Sequence, residues 1–145
     1  MKIKFLTFIG VCVFSVGCCH EHATANANLS TSADAHYHVI TTDQVKDVLY
    51  SGQDVVLVDA RAKEYDDGVR LPGAIHLPHT SNGAEIQAAV PNAGASIIVY
   101  CTGKKCPASG KLVDKLVAMN YTNVWKYTDG LEAWIKSGGK TEKVN

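Results

Sequence analysis

The sequence has no surplus of either charge and no apolar run long enough to cross a membrane comfortably. Its 145 residues include 14 basic and 14 acidic side chains, so no basic surface points to nucleic acid as a partner. There is no internal repeat, and the length allows one ordinary hydrophobic core. We therefore expect a single domain, acting as a monomer, whose partners are small molecules or proteins.

Residues 1–17 have the layout of a secretory signal peptide. Lys2 and Lys4 precede an apolar run that is shorter than the roughly 20 residues of a membrane span, so we expect cleavage. The junction resembles the bacterial lipoprotein signal, with Cys18 as the lipidated residue and Cys19 as an alternative. We predict an exported, periplasmic protein anchored to the membrane by lipidated Cys18. Plain secretion and an uncleaved anchor are the alternatives.

Residues 18–37 are small, polar and aperiodic, which is typical of a flexible tether between an anchor and a folded unit. Four histidines in and beside this segment form two separated pairs: His20, His22, His36 and His38. No fixed scaffold joins the pairs, so we expect no metal site. Residues 38–140 are predicted to form the domain, and 141–145 a frayed tail.

Short apolar and amphipathic runs alternate through the predicted domain. Residues 54–59 and 96–100 are rich in β-branched side chains and predict two strands buried on both faces. Further strands are expected at 73–77 and 124–127, and helical patterns follow Thr41 and cover 62–67, 84–90, 107–119 and 130–136. This order predicts an α/β fold, with a mainly parallel sheet covered by helices on both faces. Such sheets bind ligands beyond the carboxyl ends of their strands, where Asp59 and Cys101 are expected.

The strongest chemical pattern is a buried strand that delivers Cys101 into a tight loop opening directly into a helix. Gly103 permits backbone turns that a Cβ would forbid, and Pro107 suits the first helical turn. The free N–H groups and dipole of that helix favour an anion at the cysteine sulfur. Lys104 and Lys105 are expected to lower the pKa of the thiol further, which predicts a nucleophilic thiolate.

Three segments in sequence order carry a resemblance to a known family. They contain a strand ending in Asp-x-Arg with a later Pro-Gly-Ala, the cysteine loop, and a strand followed by a helix: Val55–Pro78 (VVLVDARAKEYDDGVRLPGAIHLP), Ser96–Met119 (SIIVYCTGKKCPASGKLVDKLVAM) and Asn120–Gly139 (NYTNVWKYTDGLEAWIKSGG). Together they resemble the rhodanese family, in which a strand-end cysteine carries sulfur as a persulfide. The resemblance implies a single five-stranded rhodanese-like domain that needs no metal or organic cofactor.

The resemblance also implies sulfurtransferase activity of the thiosulfate:cyanide type. Cys101 would attack the outer sulfur of a donor such as thiosulfate, sulfite would leave, and an acceptor such as cyanide or a thiol would remove the sulfur. The backbone amides of the substrate-binding loop are then expected to surround the persulfide: Thr102, Gly103, Lys104, Lys105 and Cys106. Successive N–H groups around one concavity form an anion nest, which is consistent with that site.

Three further residues near the loop have predicted roles. Cys106 departs from simpler single-cysteine loops, and is either a resolving thiol for Cys101 or a residue that merely packs at the helix start. Asp59 and Arg61 are expected to be structural. Asp59 would accept hydrogen bonds near the loop, and Arg61 would pair with Glu64 or another acid.

Other functions fit parts of this pattern. A thiol redox protein could use Cys101 and Cys106, but their four-residue gap departs from Cys-x-x-Cys. A non-catalytic binding module could keep the fold alone, although the cysteine and its glycine loop argue against this. Related phosphatases need an arginine six positions after the cysteine to clamp the phosphoryl group, and Pro107 stands there instead.

Overall fold

Two β-branched runs of the sequence form neighbouring strands at the centre of a five-stranded parallel sheet. The structure, a computed structural model, describes residues 36–144. The strands, in order across the sheet, are β1 (His38–Ile40), β6 (Val124–Tyr127), β5 (Ile97–Tyr100), β2 (Val56–Asp59) and β4 (Ile75–His76). The parallel pairing of β2 with β5 brings Asp59 opposite Tyr100, so both strands end at the same edge of the sheet.

Helices cover both faces of this sheet. The helices of the described residues are α1 (Thr42–Tyr50), α2 (Gly83–Ala89), α3 (Ala108–Ala118) and α4 (Gly130–Lys136). Ile97 and Val99 of β5 pack in one buried cluster with side chains of α2 and α3. Ile98 and Tyr100 point to the other cluster, with side chains of α1 and α4. The predicted α/β fold is therefore confirmed, because alternate residues of one strand serve two cores.

The first helix begins where the sequence predicts a cap. The Thr41 hydroxyl accepts a hydrogen bond from the Gln44 N–H, and the Gln44 side chain accepts one from the Thr41 N–H at 2.9 Å. This reciprocal capping box satisfies two backbone donors and contributes about 1 kcal/mol. Val45 is fully buried beneath the helix, while Val48 and Leu49 pack at the margin of the same core.

Two predicted segments differ from the structure. Within 62–67, only Lys63–Tyr65 form a short 3₁₀ turn rather than a longer helical stretch. The prediction of a frayed tail at 141–145 is wrong for Glu142–Lys143, which form strand β7 and pair antiparallel with β3, Val69–Arg70. Each strand has only two residues, and both residues of β7 are exposed. The sequence therefore has no alternation of apolar residues from which this pairing could be predicted.

The beginning of the described chain packs on the domain. Tyr37, expected in the tether, contacts the core, and the Lys126 Nζ lies 5.9 Å from the centre of its ring. The predicted signal peptide at 1–17 and the lipidation at Cys18 lie outside the described residues and stay predictions. Between residues 36 and 144, no helix is both long enough and apolar enough to span a membrane.

Candidate active site

Cys101 and Asp59 lie together at the carboxyl edge of the central strands. Cys101 follows β5 directly, and Asp59 is the last residue of the adjacent β2. The Ala60 N–H continues the ladder by donating to the Tyr100 carbonyl at 2.9 Å. Both residues are completely buried. Both residues therefore lie at the carboxyl ends of parallel strands, as predicted, which is where such sheets bind ligands.

The loop after Cys101 is held by the start of α4. The Leu131 N–H donates to the Cys101 carbonyl and the Glu132 N–H to the Thr102 carbonyl, each at 2.9 Å. These N–H groups belong to the first turn of the helix and have no partner within it. The loop therefore satisfies donors that α4 would otherwise leave open, and α4 in turn fixes the position of the loop.

Two glycines lie at this close approach. Gly130 has φ +69°, and a Cβ built on it would lie 2.5 Å from the Cys101 carbonyl oxygen. A Cβ on Gly103 would meet the Glu132 carboxylate at 2.8 Å, whereas no positive φ occurs there. The sequence predicted Gly103 for an unusual backbone turn, but its φ is not positive, and a Cβ there would displace only the end of the flexible Glu132 side chain. Gly130 was predicted only as a helix start.

The Cys101 sulfur is enclosed by the loop and the start of α3. The sulfur lies 3.3 Å from the Cys106 carbonyl oxygen, 3.7 Å from the Gly103 carbonyl oxygen and 3.3 Å from the Ser109 hydroxyl, and its single S–H can donate to one of them at a time. Pro107, predicted in the first helical turn, immediately precedes α3, which places Ser109 in that turn. The sequence pattern of the loop does not single out Ser109, because that pattern stops at the helix start.

The environment of the sulfur favours the neutral thiol. Burial is the largest effect and raises the pKa of Cys101, while the hydroxyl and the N–H of Ser109 lower it. Contact with the Cys106 side chain raises the Cys101 pKa further, and the net direction is upward. The expected lowering of this pKa by Lys104 and Lys105 is therefore wrong. Lys104 is largely exposed and pairs with Asp129 at 3.2 Å instead.

The predicted ring of amides is incomplete at its far end. The Cys106 N–H donates to the Gly103 carbonyl at 2.9 Å, closing a tight turn, and is not free for a ligand. Two carbonyl oxygens of the loop, those of Gly103 and Cys106, contact the Cys101 sulfur. The expectation that all amides from Thr102 to Cys106 surround the sulfur is therefore wrong for Cys106.

A cleft of about 1010 Å³ is lined by the loop that follows Cys101, although the buried Cys101 does not itself line it. All five predicted substrate-binding residues line it: Thr102, Gly103, Lys104, Lys105 and Cys106. Its lining also includes Tyr65, His79, Lys111 of α3 and Lys136 of α4. The volume is at the upper end of the range for small-molecule sites, and the lysines make its mouth attractive to anions. Substrate binding by these residues stays a prediction.

Asp59 and Arg61 form a buried ion pair beside the site. The Arg61 Nη2 lies 2.7 Å from Asp59 Oδ2, and its Nη1 lies 3.0 Å from Asp67 Oδ1. Burial lowers the pKa of Arg61, but hydrogen bonding to Asp59 and the charge of Asp59 outweigh it, so the pKa is raised. The acids that pair with Arg61 are Asp59, Asp66 and Asp67, and Glu64 is not among them.

This pair has a structural position. Arg61 also donates to the carbonyls of Tyr65 and Val69, so one guanidinium ties together the turn after β2. Neither charged group contacts the Cys101 sulfur. No group of three or more His, Cys, Asp or Glu side chains that could hold a metal occurs within residues 36–144.

Comparisons with known proteins agree with this architecture. A sequence model of the rhodanese-like domain matches residues 41–137, and no curated protein matches significantly. The BH2092 protein from Bacillus halodurans aligns over 72% of this chain and 75% of its own, with 23% identity and a TM-score of 0.65. The rhodanese-like domain of an Anabaena protein aligns over 72% of this chain and 78% of its own, with 20% identity and a TM-score of 0.59.

A larger protein has the same fold in part. A thiosulfate sulfurtransferase from Pseudomonas aeruginosa aligns over 74% of this chain, with 22% identity and a TM-score of 0.59. This chain covers only 20% of that protein. At such identities, these structural likenesses show the fold alone.

Proposed function

The chain belongs to the family of rhodanese-like domains, and on that premise we propose that it is a sulfurtransferase that carries sulfur as a persulfide on Cys101. The observation that carries the proposal is the position of this cysteine. It lies at the end of a central strand and begins a short loop that is fixed by α4 and lines a cleft. A strand end followed by a helix start is a common place for a nucleophile in parallel sheets.

The reaction has two steps. The Cys101 thiolate attacks the outer sulfur of a donor such as thiosulfate, the S–S bond of the donor breaks, and sulfite leaves with the bonding electron pair. An acceptor, cyanide or a thiol, then attacks the outer sulfur of the persulfide and returns Cys101 as a thiolate. Covalent catalysis of this kind gives ping-pong kinetics.

Burial, Ser109 and the lysines of the cleft each have a different effect on this reaction. Because burial raises the pKa of Cys101, the thiol stays protonated and protected until a donor enters. Ser109 opposes that effect, and its hydroxyl and N–H are placed to stabilise the thiolate and the persulfide that replaces it. Lys105, Lys111 and Lys136 at the cleft attract a dianionic donor.

The same residues weaken the other candidate functions. A phosphatase would need an arginine at the position of Pro107, which precedes α3 and has no side-chain donor. A purely non-catalytic module would gain nothing from a cysteine at this strand end, followed by a loop that lines an open cleft. For location, we propose export and anchoring through lipidated Cys18, which rests on the sequence pattern of the N-terminus.

Intact mass tests the activity. Full-length protein, reduced and then freed of reductant, is treated with thiosulfate under nitrogen and digested. We expect a gain of about 32 Da on the peptide that contains Cys101, removal of that gain by cyanide, and release of sulfite. Cys101→Ser should show neither. A wild-type protein with reduced Cys101 that releases no sulfite would refute the sulfurtransferase.

A further inference from the structure

The second thiol of the loop is more exposed than the first. Cys101 is fully buried, while Cys106 is partly exposed and lines the cleft. Both are free thiols. Of the two residues, Cys106 is therefore the one that a molecule in the cleft can contact.

The distance between the two residues is short. The Cys101 sulfur lies 3.3 Å from the Cys106 carbonyl oxygen, which places it within about 6 Å of the Cys106 Cα on standard bond lengths. Contact between the two side chains also raises the pKa of Cys101. The turn closed by the Cys106 N–H and the Gly103 carbonyl holds Cys106 on this side of the sulfur. A disulfide needs its Cβ atoms about 4 Å apart, so the four-residue segment between the two cysteines must bring them to that distance.

We propose that Cys106 is a resolving thiol, so that the domain releases the transferred sulfur as sulfide and closes a Cys101–Cys106 disulfide. The inference rests on the persulfide of the proposed function. The Cys106 thiolate attacks the inner sulfur of the Cys101 persulfide, the S–S bond of the persulfide breaks, and the outer sulfur leaves as HS⁻. The two cysteines are oxidised by two electrons, and the sulfane sulfur is reduced to sulfide. A dithiol, or two monothiols, must then reduce the disulfide before the next cycle.

Through this step the site releases sulfide, which simple transfer of sulfur to cyanide does not produce. From thiosulfate, one cycle yields one sulfite and one sulfide, at the expense of two thiol equivalents. The persulfide does not need to reach an external acceptor, because the attacking thiol is held in the same loop and its effective concentration is high.

The test is a single turnover without an external acceptor. Reduced full-length protein, freed of reductant under nitrogen, receives one equivalent of thiosulfate, and sulfite, sulfide and protein mass are measured together. Wild type should release both products and lose two hydrogens. Trypsin cleaves after Lys104 and Lys105, so the disulfide should link two peptides that separate on reduction.

The matched variants separate this inference from the function on which it rests. Cys106→Ser should still release sulfite, keep a stable gain of about 32 Da on Cys101, and release sulfide, relative to the sulfite it has released, about tenfold more slowly or not at all. If Cys106→Ser releases sulfide at the wild-type rate, or if wild type keeps a persulfide on either cysteine without releasing sulfide, the resolving role is overturned while sulfur transfer stands. If neither wild type nor Cys106→Ser releases sulfite, the sulfurtransferase activity and the resolving role are both refuted.

Discussion

Gly130 lies against Cys101 so closely that a Cβ atom on the glycine would stand 2.5 Å from the cysteine carbonyl oxygen. The same Cβ would lie 2.8 Å from the Gly103 nitrogen. The residue after the glycine donates its N–H to that carbonyl, so this contact joins the start of α4 to the cysteine loop. The helix thereby sets the position of the reactive sulfur without touching it.

Replacing Gly130 should damage both the fold and the loop. Gly130→Ala combines a left-handed backbone with a clash against backbone atoms, so we expect a loss of about 3 kcal/mol or more in the free energy of unfolding. Sulfite release from thiosulfate should fall in the protein that remains folded. Urea denaturation and a sulfite assay measure the two effects.

Gly138→Ala is the matched control at the other end of α4. It has φ +77°, and no atom lies within 4 Å of the position that a Cβ would take, so only backbone strain of about 1 kcal/mol is expected. Equal losses in the free energy of unfolding for the two variants would show that the contact between Gly130 and the cysteine loop does not contribute to stability.

The Asp59–Arg61 pair should matter for stability and not for chemistry. Asp59→Asn leaves the buried guanidinium without its main counter-charge, and we expect a loss of about 3–5 kcal/mol in the free energy of unfolding. The fraction of folded protein that accepts sulfur from thiosulfate should not change, since neither side chain contacts the sulfur. Asp114→Asn, at an exposed position on α3, should leave stability unchanged. Equal urea midpoints for both variants would contradict a structural role for the pair.

The sequence predicts the sheet well because its central strands are locally distinctive. Residues 97–100 are apolar and β-branched, and the strand at 124–127 and the helix at 130–136 have the predicted bounds. The pairing of Glu142–Lys143 with β3 escapes prediction, because it joins short segments about 70 residues apart that carry no apolar period.

The sequence predicts which residues form the candidate site but not the electrostatics around the Cys101 sulfur. Cys101 and the loop residues can be named from one strand–loop–helix pattern, and the loop residues line one cleft in the structure. The direction of the Cys101 pKa depends on complete burial and on Ser109, eight residues later, neither of which local pattern reveals. The pattern also does not reveal that Lys104 pairs with Asp129, which is distant in sequence.

The two loop lysines should differ in their effect on an anionic donor. Lys104 is paired with Asp129, whereas Lys105 has no acidic partner within 4 Å among the described residues. At low salt, Lys105→Gln should therefore reduce kcat/KM for thiosulfate by about two- to fivefold, and Lys104→Gln by less. Lys140→Gln, outside the cleft, is the control.

Ionic strength provides the check on this prediction. The difference between Lys105→Gln and wild type should shrink as salt rises, because exposed charges are screened over about 3 Å at 1 M salt. A loss that persists at high salt would assign Lys105 a direct contact with the donor instead of long-range attraction.

Ser109 should set the pH dependence of persulfide formation. The attacking species is the thiolate, so the rate of sulfite release should rise with pH towards the raised pKa of Cys101 and level off above it. The Ser109 hydroxyl lies 3.3 Å from the sulfur and lowers the pKa of Cys101. Ser109→Ala removes this hydroxyl and should therefore raise that pKa. The profile of the variant should therefore move to higher pH.

Because Ser109→Ala should raise the pKa of Cys101, the variant and wild type should differ at low pH and not at high pH. Below the pKa, Ser109→Ala should be slower than wild type by about 2- to 10-fold, the effect of one hydrogen bond, and at high pH the two rates should converge. Ser109→Thr, which keeps the hydroxyl, should restore the wild-type profile, and Ser96→Ala at the opposite end of β5 should not alter it. A uniform slowing of Ser109→Ala at every pH would mean that the hydroxyl positions the loop, because only an effect on ionisation disappears once the thiol is fully deprotonated.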